Sequence, residues 1–196
     1  MKNLLLLTPL LLAACQATPL YERPGDGNPM NDPEFMAETM EVGMPGDEHD
    51  QLARLVGDWN VSGAFYLNPG ADPMPTTAKA SFKSIMGGRY IIQDYDSNFA
   101  GMPYQGMMVM GYDRIRGEYM SIWMDNWNTV PSQSYGEMGD SGAIEMETEM
   151  VDLMTPDGRM GRSSMEIVSD NEMIFRMWDV MPDRSEWMIM ELNYTR

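Results

Sequence analysis

From about residue 57 onward, apolar and polar residues alternate in short runs. Successive side chains of a strand point to opposite faces, so alternation of period two marks a sheet with one buried and one wet face. Ten runs of this kind, several rich in aromatic residues, stand out: Trp59–Leu67, Thr76–Met86, Tyr90–Ser97, Tyr104–Tyr112, Tyr119–Asp125, Gln133–Met138, Ala143–Leu153, Met160–Val168, Met173–Met181 and Glu186–Thr195. Turn formers part them, among them Asn68-Pro69-Gly70, Gly87-Gly88, Gly139 to Gly142 and Pro156-Asp157-Gly158. No helical pattern intervenes, so the strands follow one another as antiparallel hairpins. Closing such a sheet removes its exposed edges, and the fold class expected is all-β, an antiparallel up-and-down barrel of about ten strands.

Ahead of the strands, residues 33–42 fit one short helix. Pro33 suits a first turn, Glu34 lies near the positive end, and Phe35, Met36 and Met40 form an apolar stripe that Gly43, Pro45 and Gly46 close. A further helical turn is expected over Gln51–Val56. Residues 16–33 carry Pro19, Pro24, Pro29 and Pro33 with Gly25 and Gly27 and almost no apolar pattern, which predicts a tether.

The first fifteen residues have a different character. A basic start at Lys2, an apolar run from Leu4 to Leu12 and small residues Ala13 and Ala14 describe a secretory signal. The run falls well short of the ~20 residues that span a bilayer as a helix. Leu12-Ala13-Ala14-Cys15 resembles the lipobox of bacterial lipoproteins, which implies removal of residues 1–14, acylation of Cys15 and a membrane partner reached through the lipid. Gln16 in place of Asp implies, in the same resemblance, the periplasmic face of the outer membrane. The expected organisation is thus signal 1–14, lipidated Cys15 with a tether to residue 32, and a barrel domain with its leading helix over 33–196. Cys15 is the chain's one cysteine, so the domain is expected to form without an internal disulfide or a thiolate metal site. A net charge of −17 repels phosphate backbones and excludes nucleic acid as a partner.

Gly57-Asp58-Trp59 opens the first strand with the Gly-x-Trp of calycins, the superfamily of lipocalin-like barrels. Around it stand Pro45-Gly46-Asp47-Glu48-His49, Met86-Gly87-Gly88-Arg89-Tyr90, Gly101-Met102-Pro103-Tyr104-Gln105-Gly106, Gly111-Tyr112-Asp113, Ser121-Ile122-Trp123-Met124-Asp125 and a closing Asn193-Tyr194-Thr195-Arg196. In that order and spacing the chain resembles the bacterial domain-of-unknown-function family 1579, placed among the calycins. The resemblance covers residues 33–196 and implies a barrel without implying an activity. It also implies a structural signature of Gly57, Trp59 and Arg196, the arginine from near the last strand covering the indole of the first.

Candidate chemistry is sparse. Tyr119, Ser121, Trp123 and Asp125 alternate and share one strand face, an aromatic lining with one hydroxyl and one carboxylate. Small-molecule pockets are mostly apolar with a few placed polar groups, so these four are the ligand-binding candidates, the alternative being plain packing. The chain holds 24 methionines, and beyond the leading segment they equal Leu, Ile and Val together. Thioethers suit Cu(I), which makes soft-metal binding one reading. Pairs at alternate positions, such as Met173 with Met177, Met188 with Met190 and Met120 with Met124, read instead as adaptable core filler. Met107-Met108-Val109-Met110 sends at least one methionine away from the core. Surface thioethers could also consume oxidants.

His49 is the only histidine and falls before the first strand, off the barrel wall. Haem held as in nitrobindin-like barrels needs an axial histidine facing the cavity, so no haem or other cofactor is expected. His49 stays a candidate functional residue beside the reading that it fixes the helix-to-strand turn. Gly139-Asp140-Ser141-Gly142 copies a serine-protease nucleophile motif, yet it falls at a hairpin turn with no base to serve it. Glu145, Glu147 and Glu149 alternate and read as one solvated face. The function expected is a non-enzymatic envelope barrel holding a small apolar or amphipathic ligand. Its alternatives are a ligand-free structural or interaction protein of the envelope, and soft-metal binding through methionine.

Overall fold

The computed structural model describes residues 31–99, 101–153, 155–181, 183 and 185–196. The signal, Cys15 and nearly all of the tether lie outside these residues. The chain divides into two units, 1–39 and 40–196. Helix α1 (Pro33–Val42) starts where its proline and acidic first turn predict. The Asp32 carboxylate accepts the Glu34 N–H at 2.9 Å, satisfying one of the donors that a helix start leaves free.

The second unit is the barrel. Its strands are β1 (Gly57–Phe65), β2 (Met74–Ile85), β3 (Tyr90–Phe99), β4 (Met102–Asp113), β5 (Glu118–Asp125), β6 (Ser132–Met138), β7 (Ile144–Met150), β8 (Arg159–Ser169), β9 (Glu172–Val180) and β10 (Glu186–Thr195). Each pairs antiparallel with its neighbours in sequence, and β10 returns to β1 to close the barrel, with Val61 opposite Tyr194. Every strand buries at least one residue, and most bury an alternating set on the inner face. On β7 Ile144, Met146, Thr148 and Met150 are buried while Glu145, Glu147 and Glu149 are exposed.

One end of the barrel is shut. Helix α2 (Asp47–Ala53) precedes β1, and Leu52 and Leu55 are almost fully buried in the cluster that holds Trp59 and Phe82. The helical turn expected over Gln51–Val56 therefore begins earlier. Gly46 stands at its start, Asp47 and Glu48 fill the first turn, and the Gly46 N–H donates to His49 Nδ1 at 3.0 Å. That bond is half of a capping box, with an imidazole in the role usually taken by Glu or Gln. His49 thus lies inside α2, buried, its ring edge-on to Tyr112 at 6.1 Å between centroids.

Where β1 begins, Trp59 and Arg196 lock the first strand to the chain that follows the last. The Trp59 indole N–H donates to the Leu55 carbonyl at 2.7 Å. Arg196 lays its guanidinium 4.3 Å from the Trp59 ring centroid and donates to the carbonyls of Asp170, Val56 and Arg54 at 2.6, 2.7 and 3.1 Å. Gly57 makes room for it. Its φ is +133°, and a Cβ there would stand 2.7 Å from Arg196 Nη1.

The methionines divide between the two faces, and two expected core pairs do not hold. Met120 and Met124 share the outer face of β5, because Tyr119 and Ser121 are the buried ones and Ser121, Trp123 and Asp125 face the interior. Met188 and Met190 fall on opposite faces, because a bulge leaves Ile189 unpaired between them. Met190 pairs with Met177 on the inside, while Met188 pairs with Trp178 on the outside. One extra residue shifts the alternation by one face. Met173 and Met177 both point inward.

Candidate functional site

Toward the other end, where β1 and β3 finish and β2 and β4 start, the interior is not filled. A cavity of about 440 Å³ runs down from the loops that carry Leu67, Trp127 and Val151. Its two sides differ in chemistry. On β7 to β10 stand Met146, Met150, Met165, Met173, Met177 and Met190. A row of hydroxyls runs beside them from β6 to β8, in which Thr148 Oγ1 meets Ser134 Oγ at 2.9 Å and Ser163 Oγ at 3.5 Å. The hydroxyls satisfy one another, as buried polar groups must.

On β3 to β5 the lining is aromatic. Tyr95, Tyr104 and Trp123 come together with centroids 5.9 to 6.5 Å apart, and Trp127 adds its ring edge-on to Tyr104 at 5.0 Å. Gly106 makes this arrangement possible, since a Cβ there would run into the Trp123 ring. Burial first, and the Asp125 charge next, push the Tyr104 phenol well above the ordinary tyrosine value, while burial pushes Tyr95 up to about 12. Both phenols stay protonated, and Tyr104 donates to Asp125. Deeper in, Tyr194 is wholly enclosed and its hydroxyl accepts from Gln93 Nε2 at 3.2 Å.

Asp125 is the one charged residue among the described residues lining the cavity. Its Oδ1 accepts the backbone N–H groups of Trp127 at 2.8 Å and Asn128 at 2.9 Å, and the Asn128 amide at 3.1 Å. Its Oδ2 takes the Trp123 indole N–H and the Tyr104 hydroxyl, each at 3.2 Å. Burial alone would raise this carboxyl, but the Trp127 N–H and the other donors outweigh it and hold the group below the usual carboxylate value. The anion is therefore kept charged by neutral donors alone.

Of the four residues on β5, Ser121, Trp123 and Asp125 line the cavity and Tyr119 does not. Tyr119 lies at the shut end, its ring 4.9 Å from Tyr112, and burial with the Glu48 charge pushes its phenol up to about 12. His49 belongs to that end too. Burial, the largest influence on it, lowers its imidazole below the usual value, so it accepts the Gly46 N–H as a neutral ring. Gly139 to Gly142 form the β6–β7 turn, closed by the Gly139 N–H to the Ala143 carbonyl at 2.8 Å. Among the described residues no group of three or more His, Cys, Asp and Glu is arranged to hold a metal ion. Tyr104 and Trp127 escaped the reading of the sequence. Alternation of Tyr104 with Gly106 and Met108 was the available signal for the first, whereas the second sits in a loop with none.

A family model described as protein of unknown function (DUF1579) matches residues 44–196. The chain belongs to this family. Its barrel region is what the model spans, and the family's description assigns no activity. Among solved structures the chain is similar in fold to Rv2717c from M. tuberculosis, with a TM-score of 0.56 and 14% identity over 78% of this chain and 99% of that one. At that identity the likeness shows the fold. A search among curated proteins finds no match to this sequence.

Proposed function

We propose that this member of the DUF1579 family is a lipid-anchored carrier of the cell envelope that holds a small apolar or amphipathic molecule in its barrel, and that it performs no chemistry on it. The observation that supports the reading is the cavity. Its volume of about 440 Å³ exceeds the ~300 Å³ at which small-ligand pockets begin, and its lining is apolar with a few placed polar groups. The Gly-x-Trp opening with its covering arginine supports placing the barrel among the calycins. The lipobox at Leu12 to Cys15 supports export and a lipid anchor on Cys15 as the mature chain's first residue, and Gln16 supports placing that anchor at the periplasmic face of the outer membrane.

Organic extraction of protein purified from its own envelope, followed by mass spectrometry, tests the carrier reading. One molecular species well above a mock preparation is the result expected. Its absence, together with failure to bind any apolar fluorescent probe, points instead to a structural or interaction protein. Cys15→Ser should leave the protein unanchored or its signal uncut. A second reading draws on the methionine side of the cavity, where six thioethers from four strands converge. Titration with Cu(I) under reducing conditions tests it, and a stoichiometric site tighter than about micromolar would establish it over the carrier reading.

A further inference from the structure

Resting on the reading of the barrel as a carrier, we infer that its ligand is an organic cation with an apolar body, a methylated ammonium whose head sits among Asp125, Trp123, Tyr104 and Trp127 at the mouth and whose body lies against the methionines. Three observations converge on this class. The first is charge. Asp125 brings the sole formal charge among the described lining residues, and no described Lys, Arg or His faces it across the cavity. An anionic head would enter against that charge with no cation to receive it. A cation would be drawn by a carboxylate whose field is little screened between apolar walls.

The second is hydrogen bonding. A carboxylate offers about four lone-pair sites. Those of Asp125 are taken by five donor groups, namely the two loop N–H groups, the Asn128 amide, the Trp123 indole and the Tyr104 hydroxyl. A primary ammonium brings three N–H groups that need acceptors, and this carboxylate has none to spare. A trimethylated ammonium brings charge and no N–H. It needs only the field of the anion and the faces of aromatic rings.

The third is the rings. Trp123, Tyr104 and Trp127 cluster beside the carboxylate, with Trp127 5.0 Å and Trp123 6.5 Å from Tyr104. Aromatic groups around an anion are the recurrent recognition chemistry for quaternary ammonium. Polarizable thioethers below them accept an aliphatic or an aromatic body equally well.

Octyltrimethylammonium, octylammonium, octan-1-ol and octanoate share a chain and differ in the head. Each is titrated below its aggregation threshold into the purified full-length protein, followed by calorimetry and by tryptophan fluorescence. Octyltrimethylammonium should bind about tenfold or more tighter than octan-1-ol and tighter still than octylammonium, with octanoate weakest. Asp125→Asn should bring the quaternary cation and the alcohol to within about threefold of each other. Trp127→Leu alters a half-exposed loop ring and leaves the fold intact, so it decides the matter if Asp125→Asn does not fold. It should weaken the cation several-fold more than it weakens the alcohol. Equal binding of cation and alcohol by the unaltered protein, or a preference for octanoate or octylammonium, overturns the assignment of class while leaving the carrier reading intact. Binding of none of the four overturns both.

Discussion

Arg196 directly follows β10, the strand that pairs with β1 to close the barrel, so replacing it tests how the barrel is fastened. Its guanidinium donates to three carbonyls, those of Val56 and Arg54 just before β1 and that of Asp170 in the β8–β9 turn, and covers the Trp59 indole at 4.3 Å. A hydrogen bond from a charged group contributes about 1.5 to 3 kcal/mol when shielded, but Arg196 is exposed and solvent competes, which reduces each to about 0.5 to 1 kcal/mol. The cation–π contact adds about 0.5 to 1 kcal/mol at such a site. Arg196→Ala should therefore cost about 2 to 4 kcal/mol, a large part of the ~5 to 15 kcal/mol that holds a domain folded. Arg196→Lys should recover less than half of it, since one ammonium can neither reach three carbonyls nor stack flat. Urea unfolding gives both values from the shift in midpoint at unchanged slope. Trp59→Phe removes the indole N–H to Leu55 as well as the better ring, and the double variant should lose about 0.5 to 1 kcal/mol less than the two single losses together. A loss under about 1 kcal/mol for Arg196→Ala, or strict additivity with Trp59→Phe, would refute the fastening role.

Three further outcomes are expected. His49 has a folded pKa below its unfolded value of about 6.5, so its neutral ring contributes stability in full above that pH, and the contribution fades as the pH falls through 6.5 toward the folded pKa. His49→Gln should flatten the dependence of the urea midpoint between about pH 7.5 and 5, and an unchanged slope would show that other groups cause it. Gly106→Ala puts a methyl where the Trp123 ring lies; the indole should be displaced into the cavity, changing near-ultraviolet circular dichroism and weakening apolar probes at least several-fold, whereas unaltered binding would mean the wall yields instead. Graded peroxide treatment followed by peptide mass spectrometry should oxidise exposed Met86, Met102 and Met160 before buried Met110 and Met173; uniform oxidation at native pH would show that the inner methionines are open to solvent.

What the sequence determined by itself was the number of strands, their order and their antiparallel run. Each of the ten alternating segments became a strand whose ends lie within about three residues of those expected. Local alternation and turn formers suffice for that, because the pleat sets a period of two whatever the strand packs against. The shared face of Ser121, Trp123 and Asp125 was legible for the same reason. Which face of β5 turns inward was not. Met120, Ile122 and Met124 are more apolar than the face opposite, yet they lie outside, half-covered by neighbours such as Met107 and Tyr135, while the interior takes the serine and the aspartate. A period fixes that two faces exist, and only the closed sheet decides which one curves around the cavity. The bulge at Ile189 turned Met188 outward by a single unpaired residue that no pattern along the strand marks. Helix α2 took shape from Leu52 and Leu55 finding the shut end of the barrel, a burial that depends on residues far along the chain. The environment of Asp125 was likewise a tertiary matter. Tyr104, Trp123, Trp127 and Asn128 reach it from two strands and a loop, and an anion held by neutral donors exists only once those segments meet.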